Sequence, residues 1–65
     1  MATAIFQKLN RYEAVIEVNY DFGGFAFERI TLRRPLDGDL YEVAYNAASF
    51  KARVHGEELT RFSRG

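Results

Sequence analysis

The sequence predicts a small α+β domain in which an antiparallel β-sheet of three to five strands carries one helix packed on a face. Two patterns lead to this prediction. Residues 12–20 alternate with a period of two, which is typical of a half-buried strand. Farther along, apolar residues recur at helical spacing between Leu36 and Ala47. Because the chain has 65 residues, we expect one domain spanning 1–65.

The alternating segment is expected to form the first arm of a hairpin. One face would carry Tyr12, Ala14, Ile16, Val18 and Tyr20, and the other face the remaining residues of the segment. Residues 21–24, which include two glycines, are typical of a hairpin loop. Residues 25–33 would return as the second strand, but Phe25 and Phe27 share one face whereas Ile30 and Leu32 share the other. A bulge near Glu28 or Arg29 would explain this change of phase, as would burial of the two faces at different points.

The second half is expected to contain the helix and a final strand. Pro35 ends the hairpin, and the apolar spacing predicts a helix from Gly38 to Ser49 with Asp37 as its N-cap. Alternation over residues 50–54 suggests a strand, followed by a turn at His55 and Gly56. Residues 58–63 would form a last strand. Residues 4–9 would add an edge strand or a short helical turn.

Charge and composition exclude several classes of protein. Nine basic and nine acidic residues give a formal net charge of zero, which argues against nonspecific nucleic-acid binding through phosphate neutralisation. No apolar run approaches the roughly 20 residues that a membrane span requires. The first residues show no secretion signal, and the chain has no cysteine. We therefore expect a cytoplasmic protein with no membrane partner and no direct nucleic-acid partner.

The residues that could carry chemistry are few. His55 is the single histidine, and none of the serines or threonines lies in a recognisable nucleophile turn. Zinc sites need cysteine or histidine at paired spacing, and the Asp37-Gly38-Asp39 segment lacks the further oxygen ligands of a calcium loop. We expect the chain not to be an enzyme and to bind no metal, cofactor or small-molecule substrate.

The predicted helix begins with an acidic segment that surrounds an aromatic residue. Asp37, Asp39 and Glu42 flank Tyr41, and tyrosine is enriched at protein interfaces because its ring is apolar and its tip is polar. Such a patch suits a basic protein groove. The alternative is that these residues form an ordinary solvated helix face. Most of the four aromatic residues Phe22, Phe25, Tyr41 and Tyr45 are expected in the core.

Three blocks of the chain resemble a small phage anti-CRISPR family directed against the type I-F surveillance complex. The segment Asn19-Tyr-Asp-Phe-Gly-Gly-Phe-Ala-Phe27 is similar to the family's Asn-x-Asp-Phe-Gly-Gly-Phe-x-Phe in a first hairpin. Asp37-Gly-Asp-Leu-Tyr-Glu-Val-Ala-Tyr45 resembles its Asp-rich helix start with Tyr-Glu-x-Ala-Tyr. Gly56-Glu-Glu-Leu59 resembles the Gly-Glu-x-Leu that opens its final strand.

The resemblance implies a sheet-plus-helix protein that acts in the cytoplasm of the infected bacterial host. It would dock on the large Cas8-type protein subunit of the CRISPR-Cas surveillance complex and block target-DNA recognition as a partial DNA mimic. The acidic contact positions would be Asp21 in the hairpin loop and Asp37 and Glu42 at the helix, with Tyr41 beside them.

Two other functions remain open. The run from Ile30 to Leu40 also looks like a strand-to-helix junction of phage tail-assembly chaperones, which would make the chain a structural or assembly protein. A phage inhibitor of host RNA polymerase could be built on a similarly small scaffold. Both alternatives share the expectation that the chain acts by binding another macromolecule.

Overall fold

The computed structural model describes residues 1–33 and 39–65. The elements in chain order are β1 (Ala2–Lys8), β2 (Glu13–Asn19), β3 (Phe25–Thr31), α1 (Leu40–Val54) and β4 (Leu59–Arg64). The strands form one sheet in the order β3-β2-β1-β4, and α1 packs across one of its faces. The predicted α+β class, with one helix on a small sheet, is confirmed.

The sheet is mixed, because its last strand runs parallel to its first. β1 pairs antiparallel with β2, β2 pairs antiparallel with β3, and β4 joins β1 in parallel. The prediction of a purely antiparallel sheet was therefore wrong at this one junction. A parallel pairing needs a long crossover, and α1 supplies it by carrying the chain from β3 over the middle strands to the opposite edge.

The hairpin of β2 and β3 follows the alternation in the sequence. β2 buries Ala14, Ile16 and Val18 completely against the helix, as the period of two predicted. Its pairing with β3 runs in unbroken register from Glu13 with Thr31 to Asn19 with Phe25. The predicted bulge near residues 28 and 29 was therefore wrong.

β1 is an internal strand, not the edge strand or helical turn predicted for residues 4–9. It lies between β2 and β4, and it buries Ala2, Ala4 and Phe6 under the helix. Two small side chains in a short strand give a weak hydrophobic signal, so the sequence did not reveal its central place. A register shift between Ala2 and Thr3 marks where β4 joins it.

The helix is longer than predicted. It begins at Leu40 with Asp39 as N-cap, whose carboxylate accepts a hydrogen bond of 2.9 Å from the Tyr41 backbone N–H. The predicted N-cap, Asp37, lies outside the described residues. The predicted strand over residues 50–54 was wrong, because those residues continue the helix to Val54.

The helix ends in a Schellman motif formed by the turn that the sequence predicted. The Gly56 N–H donates to the Arg53 carbonyl at 2.9 Å, and the Glu57 N–H donates to the Ala52 carbonyl at 2.8 Å. Gly56 has a φ of +75°, a conformation that glycine adopts without steric cost. The chain then enters β4, close to the last strand predicted at residues 58–63.

Small side chains set the distance between helix and sheet. Ala44, Ala48 and Ala52 recur every fourth residue along α1, and all three are fully buried. They face a sheet surface that also carries buried alanines in β1 and β2. The two elements therefore meet at close range. No helix among residues 1–33 and 39–65 is long and apolar enough to cross a membrane.

Candidate functional site: the open face of the sheet

The loop between β2 and β3 presents Phe22 at its tip. The Gly23 N–H donates to the Tyr20 carbonyl at 3.2 Å, and the Tyr20 N–H donates to the Gly24 carbonyl at 3.1 Å. Gly23 and Gly24 take φ values of +91° and +89°, which other residues rarely adopt. This closed loop leaves Phe22 94% exposed.

Two more phenylalanines lie on the sheet face that the helix does not cover. Phe25 and Phe27 are two residues apart on β3, so their side chains point to the same side. Their rings meet edge to face with centroids 5.3 Å apart, and they are 63% and 58% exposed. The expectation that most of Phe22, Phe25, Tyr41 and Tyr45 lie in the core was wrong, because of the four only Tyr41 packs against the core. We call Phe22, Phe25 and Phe27, together with the neighbouring Ile5, the aromatic face.

A carboxylate lies in the middle of this open face. The register places Glu17 of β2 directly between Ile5 of β1 and Phe27 of β3. The Asn19 side-chain amide donates a hydrogen bond of 2.9 Å to Glu17 Oε2, which fixes the carboxylate over the sheet. A shallow groove of about 230 Å³ surrounds it, lined by Ile5, Gln7, Val15, Glu17 and Phe27.

An ion pair borders the groove near the far end of the hairpin. Arg29 of β3 pairs with the carboxylate of Glu13 on β2, which also accepts a 2.9 Å hydrogen bond from the Asn10 side chain. These hydrogen bonds, from Asn10 and then from Arg29, hold the pKa of Glu13 below its ordinary value of 4.5.

Asp21 follows the end of β2 beside the aromatic face, and together with Glu57 it binds the amino terminus. The Met1 ammonium lies 3.3 Å from Asp21 Oδ2 and 3.3 Å from Glu57 Oε1, and the same Glu57 oxygen accepts the Asp21 N–H at 2.9 Å. Partial desolvation opposes the charged amine, but the hydrogen bonds from Glu57 and Asp21 outweigh it and raise the pKa of the Met1 amine.

The other predicted contact residues lie at the opposite end of the helix. Asp39 caps α1, and Glu42 is exposed in its first turn. The Tyr41 ring is half-buried between Phe6 and Phe62, at centroid distances of 5.3 and 5.0 Å. The Arg64 guanidinium covers the same ring at 4.6 Å from its centroid.

The predicted acidic residues therefore do not form one patch. Asp21 contacts Glu57, just beyond the end of α1, whereas Asp39 lies at its start. A helix of 15 residues spans roughly 22 Å. The Tyr41 ring packs against Phe6, Phe62 and Arg64 within the fold. Asp37 lies outside the described residues.

His55, the residue that caps the end of α1, stacks its ring on Tyr20 with centroids 3.8 Å apart. Among residues 1–33 and 39–65, no three potential ligands from histidine, cysteine, aspartate and glutamate come together as a metal site.

The sequence interpretation missed the aromatic face and Glu17 as candidate binding residues. The signal was the phase of β3, because Phe25 and Phe27 oppose Ile30 across the strand. The exposure of Phe25 and Phe27 can be inferred from this phase only when it is known that the helix covers the Ile30 side of the sheet. Comparison of the chain with protein-family models, curated proteins and solved structures gave no match.

Proposed function

We propose that this chain is a phage anti-CRISPR protein that binds a Cas8-type subunit of a type I surveillance complex and blocks target-DNA recognition. The observation that carries the proposal is the exposure of Phe22, Phe25 and Phe27. All three belong to the segment 19–27 on which the resemblance to the type I-F inhibitors rests. Exposed aromatic clusters of this kind are typical anchors of protein–protein interfaces.

The size of the chain is compatible with inhibition by steric occlusion. A standard interface buries about 800 Å² on each partner. Against a total accessible surface of 4669 Å², that is roughly a sixth of this protein. The aromatic face and the adjoining loop can supply such an area while the helix-covered side stays outside the contact. In this proposal the chain acts in the host cytoplasm, without catalysis and without touching DNA.

The placement of the acidic residues gives them unequal parts in the proposal. Asp21 adjoins Phe22, so it belongs to the same docking surface. Glu42 lies near the other end of the helix, and Asp39 and Tyr41 serve the fold through the cap and the ring contacts. The proposal therefore assigns the main contact to the hairpin and a secondary one at most to the start of the helix.

The test is inhibition of target-DNA binding by a purified type I-F complex, measured as a gel mobility shift. Phe22→Ala should raise the half-inhibitory concentration by about tenfold or more, as loss of an interface anchor does. Phe50→Ala is the matched control, because Phe50 is also exposed but lies on the helix. Equal inhibition by both variants would contradict docking through the hairpin.

Two charge variants test the contributions of the two ends of the helix, because Asp21 lies near its last turn and Glu42 lies in its first turn. Asp21→Asn should weaken inhibition, whereas Glu42→Lys should change it less. If the parent chain neither binds the complex nor prevents DNA binding, the proposed function is wrong. Self-association or co-purification with phage tail components would then favour a structural or assembly protein, and inhibition of transcription would favour an inhibitor of host RNA polymerase.

A further inference from the structure

The centre of the open sheet face holds a negative charge within an apolar surface. Glu17 is flanked in register by Ile5 and Phe27, and Val15 lies two residues before it on the same side of β2. These apolar neighbours do not stabilise the charged carboxylate, because they offer it neither a hydrogen bond nor an opposite charge. The arrangement is suited to a ligand that supplies both.

The charges around Glu17 leave its carboxylate available. Asn19 occupies Oε2, and Glu17 has no cationic partner within 4.0 Å among the described residues. The nearby Arg29 is engaged by Glu13. Arg61 of β4 lies opposite Thr3, in the row next to that of Glu17 and two strands away from β2. Among the residues that line the groove, Glu17 alone carries a charge.

The shape of the groove limits what can enter it. Its volume of about 230 Å³ lies below the 300–1,000 Å³ typical of sites for small-molecule ligands. It is open to solvent on the sheet surface, and Ile5, Val15 and Phe27 form most of its walls, with Gln7 at one side. These properties fit one long side chain with an aliphatic stem and a charged end.

We propose that this groove binds a cationic side chain, arginine in preference to lysine, of the protein on which the chain docks. The Glu17 carboxylate would accept hydrogen bonds from the guanidinium, and the Phe27 ring would contact its planar face. Ile5 and Val15 would cover the aliphatic stem. This inference rests on the proposed function, since it names the partner group that the aromatic face selects.

Charge decides against a single-stranded nucleic acid as the occupant. Exposed phenylalanines on an open sheet can stack on bases, but such sites combine the aromatics with a positively charged groove. Here the groove has the Glu17 carboxylate at its centre, and the Arg29 guanidinium at its border is paired with Glu13. A phosphate backbone across this face would meet repulsion where a guanidinium meets attraction.

The direct test is an NMR titration of the full chain with a capped Gly-Arg-Gly peptide. We expect saturable shifts confined to residues that line the groove, and about tenfold weaker binding of the matching citrulline peptide, which keeps the shape but loses the charge. Glu17→Gln should weaken arginine binding to the same extent, since it keeps an oxygen to accept the Asn19 hydrogen bond. Glu58→Gln, at an exposed acidic residue away from the groove, is the matched control and should bind as the parent does.

The outcomes separate this inference from the proposed function. Arginine-dependent shifts with no binding to the surveillance complex would support the groove and refute the CRISPR target. Binding to the complex that Glu17→Gln leaves unchanged, together with no arginine-dependent shifts, would overturn the groove and leave the target standing. Equal shifts from arginine and citrulline peptides, or tighter binding of a single-stranded oligonucleotide at the same residues, would also overturn it.

Discussion

Replacing Ala48 by leucine tests how closely the helix approaches the sheet. Ala48 is fully buried in the middle of α1, flanked by Ala44 and Ala52 on the same stripe. A leucine side chain there must displace the sheet or take an unfavourable rotamer, which typically costs about 1–3 kcal/mol. A chain of 65 residues has a free energy of unfolding of roughly 3–10 kcal/mol. The variant should therefore lose about a third of its stability.

Urea unfolding followed by circular dichroism measures this loss. The midpoint of Ala48→Leu should fall while the dependence on urea concentration stays the same. Asn46→Leu is the matched control, because it places the same side chain on the exposed side of the helix and should alter stability by less than about 0.5 kcal/mol. An Ala48→Leu midpoint equal to or above that of the parent would refute the claim that alanines hold the helix against the sheet.

Three further predictions concern the cap, the loop and pH. Asp39→Ala should cost about 0.5–2 kcal/mol in the free energy of unfolding, because the Tyr41 N–H loses its acceptor. Gly24→Ala should cost roughly 1–2 kcal/mol through backbone strain at a φ of +89°, since nothing lies within 4 Å of the added methyl group. Because the folded pKa of Glu13 is lowered, its contribution to stability is present above about pH 4.5 and is lost as the pH falls through the folded pKa.

Each of these predictions has a measurement that can contradict it. Thermal unfolding of Asp39→Asn should stay near the parent value, because asparagine also caps helices, and an equally large loss would point away from the cap. A Gly24→Ala variant as stable as the parent would mean that the loop adopts another conformation. Glu13→Gln should flatten the acid limb of the stability curve, and an unchanged limb would assign the acid sensitivity to other carboxylates.

Local patterns predicted the β2–β3 hairpin and the turn that ends the helix. β2 alternates because one of its faces is buried, and the two glycines of the loop adopt φ values that their neighbours could not. These features depend on residues close in the sequence. The same is true of the turn at Gly56, because the positive φ that ends the helix is a local property of glycine.

The sequence predictions were wrong where a segment fits both helical and strand spacing, and where the topology of the sheet determines which face is buried. Phe50, Ala52 and Val54 alternate like a strand, but Ala52 also continues the spacing of Ala44 and Ala48, and burial of that stripe prevails. The sequence also gives the two faces of β3 without stating which one the helix covers. For that reason the exposure of Phe25 and Phe27 emerged only from the three-dimensional arrangement.

The candidate site depended on the same distinction. The spacing around Tyr41 suggested an acidic patch with an aromatic anchor, but that ring lies against Phe6 and Phe62, which are distant in sequence. Asp21 was correctly placed in the hairpin loop, yet the crossover helix separates it from Asp39. The residue types predicted a binding protein, but only the topology shows which candidate contact residues lie close together and which lie apart.

The parallel pairing of β1 with β4 has a consequence for the folding rate. Ala2 of β1 pairs with Leu59 of β4, so β2, β3 and the helix all lie between the two partner strands in the sequence. Until β4 pairs, β1 is an open edge and the surface beneath the helix is incomplete. Because the entropy of closing this long loop is lost before the contacts form, we expect the pairing of β1 with β4 to limit the rate at which the domain folds.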